Sequence, residues 1–350
     1  MVGRPLLGYS EVCPRDMPTV SVIVPNYNHA RFLPQRMESI LGQSYQDFEL
    51  ILMDDCSTDE SRTILSQYAN DPRVRTEFNQ ANSGSTFKQW NKGVGLARGK
   101  YVWIAESDDY AEPRLLERLV AALESDPKVA FAYCRSWRTS EDGQQHGFSD
   151  YYLDEYHTKH WTEDFCVDGV EECRNYFAQT NPVPNASAVV FRKCIYEEVG
   201  GADEKFRACG DWKLWAAMAL TGKIVYLGEP LNHFRFHEAS VSTRTQAARM
   251  DVAEHLQVMR WVLDRVTVPE AKLAEIRKKK LRLWIPPLMT FKVPLHMKYS
   301  ILRSAKAIDP HVLRRLPGPA LVALGLKVRR LLFGVNAGQR LGERTLPHEK

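Results

Sequence analysis

The stretch Val20-Ser21-Val22-Ile23-Val24-Pro25-Asn26-Tyr27-Asn28 decides the fold class. It opens as a short run of β-branched residues and stops at a proline, the pattern of a strand buried on both faces. The pattern returns at Phe48–Met53, more weakly at Val74–Phe78, and again at Tyr101–Ala105 and Val129–Cys134. Helical spacing fills the gaps. Phe32, Met37, Ile40 and Leu41 lie on one helical face. Asp59–Tyr68 reads as a helix capped by Ser57 or Thr58, and Thr86–Ala97 and a segment from Pro113 to Leu123 follow. Apolar strands alternating with helices predict an α/β fold whose mostly parallel sheet carries helices on both faces. Right-handed crossovers gather the carboxyl ends of such strands on one edge, where ligands bind. The residues sent there are Asn26-Tyr27-Asn28, Asp54-Asp55-Cys56-Ser57 and Glu106-Ser107-Asp108-Asp109.

Outside this repeat the chain changes character. Residues 1–17 lack periodicity and read as a leader. Residues 138–183, rich in Tyr, His, Asp and Gln, read as a long functional loop or small insertion. Order resumes at Ala186–Arg192, continues through a helix over Asp211–Leu220, and ends in Ile224–Tyr226 and Leu231–His237.

Composition excludes several classes. With 350 residues, 44% apolar and 26% charged, the chain is ordinary for a globular protein and too apolar for disorder. No window is apolar for the roughly 18 residues of a membrane span. The N-terminus lacks the apolar core of a signal peptide. The seven cysteines are odd in number and contain no Cys-x-x-Cys pair, so neither a disulfide framework nor a zinc site is expected, and the reading is cytoplasmic. Asn185-Ala186-Ser187 matches a glycosylation acceptor by chance. No Walker A loop or G-x-G-x-x-G is present, which disfavours a P-loop ATPase and a dinucleotide dehydrogenase. The net charge of +4 conceals an asymmetry: residues 271–350 hold 18 Lys/Arg against four acids, a net of +14, and residues 1–270 carry −10.

Asp54-Asp55 and Asp108-Asp109 both follow buried strands. A lone pair of this kind is ordinary turn chemistry. Two at one sheet edge suggest relief of their repulsion by a divalent cation, which commonly bridges to phosphates. In order, Val22–Asn28, Gln43-Ser44 to Asp47-Phe48-Glu49-Leu50, Asp54–Asp59, Asn82-x-Gly84 to Asn91, Gly99-Lys100-Tyr101 to Ser107-Asp108-Asp109, Gly200-Gly201 to Asp211-Trp212-Lys213-Leu214-Trp215, and Leu231–Ser242 resemble glycosyltransferase family 2. The likeness spans about 18–242.

The resemblance implies a GT-A fold, with a nucleotide-sugar half over 18–110 and an acceptor half over 111–242; beyond it, composition makes 243–350 a helical, basic C-terminal region. It implies inverting transfer from a nucleotide-sugar, most often a UDP-sugar, to a hydroxyl of a glycan or lipid-linked acceptor in surface polysaccharide synthesis. Pro25, Tyr27 and Asn28 would flank the base and ribose, and Asp55 would hydrogen-bond the base. Gly84 would allow close backbone approach, and Lys88 would face the diphosphate. Asp108 would contact ribose or metal, Asp109 would bind the metal (Mn²⁺ or Mg²⁺), and His237 would join it. Asp211 would be the general base. Trp212 either stacks on an acceptor sugar or packs its helix; Trp215 is read as packing.

The chain departs from the family pattern at Glu106, where Asp is frequent, at Cys56, where Gly is common, and at Gly210, where many members carry Glu. Without Gln-x-x-Arg-Trp, a processive synthase is not expected. The basic tail reads as a solvated helical face or as contact with an anionic membrane, which would place the protein peripherally on the cytoplasmic face of the inner membrane. No nucleic-acid motif accompanies it. A non-catalytic nucleotide- or glycan-binding member of the fold and a membrane-tethering module remain the rival functions.

Overall fold

The computed structural model describes residues 17–149, 159–183, 185–237, 240, 251–284 and 295–312. Most of the leader and the basic residues beyond 312 lie outside the described residues. The N-terminal repeat is β1 (Val20–Asn26), α1 (Leu33–Leu41), β2 (Phe48–Asp54), α2 (Ser61–Ser66), β3 (Val74–Phe78), α3 (Thr86–Leu96) and β4 (Tyr101–Ile104). Then come β5 (Tyr110–Ala111), α4 (Leu115–Glu124), β6 (Val129–Thr139), β7 (Gln145–Phe148), β8 (Phe165–Asp168), α5 (Gly169–Glu172), β9 (Val189–Arg192), α6 (Lys193–Glu198), α7 (Gly210–Ala219) and β10 (Lys223–Arg235).

One sheet holds them in the order β3-β2-β1-β4-β9-β6-β10-β5, with β7 on β6 and β8 on β10. The pairs β1–β2, β1–β4, β2–β3 and β6–β10 are parallel. Strand β9 runs antiparallel to both β4 and β6, so the longer strands on either side of it share one direction. Its inversion has a use: the chain enters β9 from the ligand edge, and the short 3₁₀ turn Ala186–Ala188 is delivered there.

Both faces are covered. On one face, Leu33, Met37 and Ile40 of α1 join Val22, Val24, Leu50 and Leu52 in one buried cluster, to which Leu115, Leu116 and Leu119 of α4 add by packing over β6, β9 and β10. On the other face, Trp215 of α7 lies against Trp90, Phe131 and Phe191. Alternate residues of a strand point to opposite faces, so a continuous apolar run is what a doubly covered strand needs.

Two expectations are corrected. Of the two readings of 138–183, the long loop does not hold for its described residues: β6 runs on to Thr139, and β7, β8, α5 and a π turn over Cys173–Phe177 follow. Aromatic packing orders them. His160 stacks on Phe165 and Tyr176, and the Trp161 indole donates to the Tyr133 hydroxyl at 2.8 Å. The segments 224–226 and 231–237 are mostly one strand of 13 residues, with register slips around Pro230 that break the sequence pattern.

The chain divides into two compact units, Met1–Thr267 and Val268–Lys350. Helix α8 (Asp251–Leu263), which the sequence groups with the C-terminal region, belongs to the first unit. The second unit contains α9 (Glu270–Trp284) and α10 (Leu295–Ile308), where the Arg277 guanidinium donates to the Ile308 carbonyl at 3.0 Å. Among the described residues no helix is long and apolar enough to cross a membrane.

Candidate active site

The first wall of the site is built by the ends of β1 and β2. Asn26 donates to Asp54 at 3.0 Å, and Asp54 also accepts from the Ser57 N–H and the Arg62 guanidinium. Burial would raise the Asp54 pKa, but the bonds from Arg62, Ser57 and Asn26 hold it below the ordinary value. Asn28 has a φ of 58° and Cys56 a φ of 63°, both in the left-handed region. Asn tolerates that region because its short amide bonds locally, here accepting from the Thr58 N–H at 2.8 Å. At Cys56 the left-handed turn explains why glycine is the commoner residue. Pro25 is buried in β1, and Tyr27 is 42% exposed, leaving a ring face open beside the turn.

Asp55 is buried and anchors the neighbouring loop. Its Oδ1 accepts from Asn79, the Ser83 N–H and Gln89, and its Oδ2 from the Ser83 hydroxyl at 2.7 Å. Gly84 follows with a φ of 68°, its N–H held by the Asn82 side chain. Lys88 is exposed in the first turn of α3, its Nζ 3.4 Å from the Ser83 carbonyl.

The second wall follows β4. Glu106 accepts from the Trp90 indole at 2.7 Å, and burial, then the charge of Asp108, pushes its pKa up to about 8. Asp108 and Asp109 diverge. Asp109 turns inward: Oδ2 accepts from Asn185 and Ser187, both at 2.7 Å, and Oδ1 from the Arg235 N–H at 2.9 Å. Burial, then the Asp108 charge, raises it to about 7. Beneath it the fully buried Arg36 donates to Ser187 and lies over the Trp103 ring. Asp109 is the expected metal ligand, and its oxygens already accept these three bonds while the cluster of candidate ligand atoms nearby does not include it. Its oxygens bond the strands that converge there, so it braces the edge.

Asp108 faces out instead. Its Oδ2 lies 2.9 Å from His237 Nε2, and its carbonyl accepts from the Arg235 guanidinium. Burial would raise the Asp108 pKa, but the bond to His237 and the charges of His29 and His237 lower it. Arg235 and His237 do work on one side of the strand end, as their alternation suggests. His29 completes the group: ligand atoms of His29, Asp108 and His237 all lie within 4.8 Å of one another. Two imidazoles and a carboxylate fit a divalent transition ion better than an all-oxygen site would. His29 was missed in the sequence because one histidine after Asn28 carries no pattern. Asn185 and Ser187 were seen only as a chance glycosylation match.

Asp211 sits in the first turn of α7, and Asn181 donates to its Oδ2 at 3.0 Å. Burial raises its pKa to about 6, against bonds from its own helix and Asn181. Gly210 just before it has a steric cause: a Cβ there would come within 2.5 Å of the Phe87 ring. Trp212 does not present a face to a sugar. It is 1% exposed, donates to the Phe177 carbonyl at 3.1 Å and meets His255 edge-on. Trp215 packs, as expected.

The family model for glycosyl transferase family 2 matches residues 21–179. Glycosyltransferase GlyG of Streptococcus pneumoniae serotype 4 (strain ATCC BAA-334 / TIGR4) is 30% identical over 232 residues, 63% of this chain and 72% of that protein. The chain belongs to glycosyltransferase family 2. It is thus a sugar transferase. Other relatives are longer: the match spans only 20% of one rhizobial protein. S. aureus TarS 1-349 in complex with UDP-GlcNAc superposes with a TM-score of 0.64 at 19% identity, over 85% of this chain and 83% of that one. The mannosyltransferase PcManGT from Pyrobaculum calidifontis, in complex with GDP-Man and Mn²⁺, gives 0.55 at 17%, over 89% and 81%. Both share the GT-A fold of this family 2 chain.

Proposed function

We propose that this protein is a metal-dependent, inverting glycosyltransferase that moves a sugar from a UDP-sugar to a hydroxyl of a glycan or lipid-linked acceptor. The observation that carries it is the division of labour among the carboxylates. Asp108 opens onto two histidines, Asp109 is consumed internally, and Asp211 stands apart with a pKa near the working pH. That is one metal-binding acid, one bracing acid and one base. A UDP-sugar is favoured by the complex of the TarS relative in fold.

In this reading Tyr27 stacks on the base, and Asp55 Oδ2 accepts the base N–H. Pro25 and Asn28 shape the ribose side, Gly84 lets the backbone approach, and Lys88 faces the diphosphate. His29, Asp108 and His237 would hold the cation, which would supply charge neutralisation for the leaving diphosphate. The two imidazoles favour Mn²⁺ over Mg²⁺. Asp211 takes the proton of the acceptor hydroxyl, whose oxygen attacks the anomeric carbon opposite the leaving group, and configuration inverts. Surface-polysaccharide synthesis is the setting favoured by relatives such as the putative teichuronic acid biosynthesis glycosyltransferase TuaG of Bacillus subtilis (strain 168).

Asp211→Asn tests it. A positioned base contributes about 10²–10⁴-fold, so transfer should fall by that order while UDP affinity stays unchanged. Full turnover in this variant would remove the base assignment.

A further inference from the structure

Helix α8 lies beyond the family match and beyond the motif resemblance, yet it grips the turn that carries the base. One carboxylate, Glu254, takes three successive backbone N–H groups: Oε1 accepts from Arg207 at 2.8 Å, and Oε2 from Ala208 at 2.7 Å and Cys209 at 2.9 Å. Asp211 follows two residues later. The next residue, His255, touches the same region twice, with Nδ1 3.4 Å from Cys209 Sγ and its ring edge-on to Trp212. The turn also reaches the opposite wall, because the Arg207 guanidinium donates to the Gly84 carbonyl.

We propose that Glu254 is a positioning residue for transfer: it sets the Arg207–Cys209 turn, and through it both the Asp211 carboxylate and the Gly84 loop. The proposal rests on the reading of Asp211 as the base. Cys209 is the N-cap of α7, where N–H groups have no partner within the helix and negative charge is favourable, and Arg207 and Ala208 lead into it. Bonds to an ionised acceptor are roughly twice as strong as neutral ones. Three of them on one side chain leave the turn a single orientation. Glutamine at 254 would keep one acceptor oxygen and point an NH₂ donor at N–H groups that also donate. The turn would then be released from one side. A misplacement of about 1 Å costs on the order of 10²-fold in rate.

The test uses the full chain with Glu254→Gln and Glu254→Asp. It reads transfer kcat, the affinity for UDP with Mn²⁺, and hydrogen exchange at the amides of 207–209. For Glu254→Gln the expected result is a fall in kcat of about 10–100-fold, unchanged UDP affinity and accelerated exchange at those three amides. Glu254→Asp, which keeps the charge, should restore part of the rate. Unaccelerated exchange overturns the clamp, and accelerated exchange with an undiminished kcat overturns its role in positioning. If Glu254→Gln does not fold, Glu254→Asp is judged by the same two criteria. Asp211→Asn run in parallel separates the readings: full turnover there removes the base assignment, while the exchange data report on Glu254 independently.

Discussion

Asp211 is half-buried, and burial outweighs the bonds that favour its charged form, pushing its pKa up to about 6. The sign of the consequence follows from its proposed role as the base. A base works ionised, so transfer should rise with pH through about 6 and level off above it. A pH–rate profile with saturating donor checks this; a rate flat down to pH 4.5 would contradict it. The sequence located this aspartate by its motif but could not supply its environment. The same limit explains Asp109 and Trp212. Neighbouring aspartates look equivalent in a sequence, and only the arrival of Asn185, Ser187 and the Arg235 N–H makes one of them internal. An indole beside the base looks available until the Phe177 carbonyl and His255 enclose it.

The proposed cation site is a matter of elements, because its three side chains arrive after three different strands: His29 beyond β1, Asp108 beyond β4 and His237 beyond β10. Their convergence depends on β10 running parallel to β6 and ending at the same edge as β1 and β4. His237→Ala should weaken Mn²⁺ binding about 10–100-fold, the usual scale for loss of a metal-site group. Calorimetric titration of Mn²⁺ in the presence of UDP measures it, and unchanged affinity would exclude His237 from the site. Strands β1, β2 and β4 were legible because burial on both faces demands continuous apolar runs. Strands β7 and β8 were not: they are half exposed and carry no continuous apolar run, and their order comes from ring stacking of Phe148 on Trp137 and of Phe165 on His160 and Tyr226. The break around Pro230 hid the unity of β10 in the same way.

Across the whole molecule, the near-neutral charge is the cancellation of an acidic catalytic part and a strongly basic C-terminal part. The basic part is proposed to meet an anionic membrane surface, with each Lys or Arg near it adding about 1 kcal/mol. Flotation of the full chain should show binding to vesicles containing phosphatidylserine, little to zwitterionic vesicles, and release by high salt as screening shortens the range of the field. Equal binding to both vesicle types would remove the charged tail from the argument.

The sequence by itself determined the alternating α/β order, the acids and asparagines at the strand ends, the family and the charge asymmetry. These follow from local periodicity and from motifs contiguous in the chain. Only the tertiary structure decided that Asp108 lies beside His29 as well as His237, that Asn185 and Ser187 bond Asp109, and that Glu254 reaches the turn before Asp211. Each of those facts joins residues tens to hundreds of positions apart, and hydrogen-bond saturation and burial exist only once such residues meet.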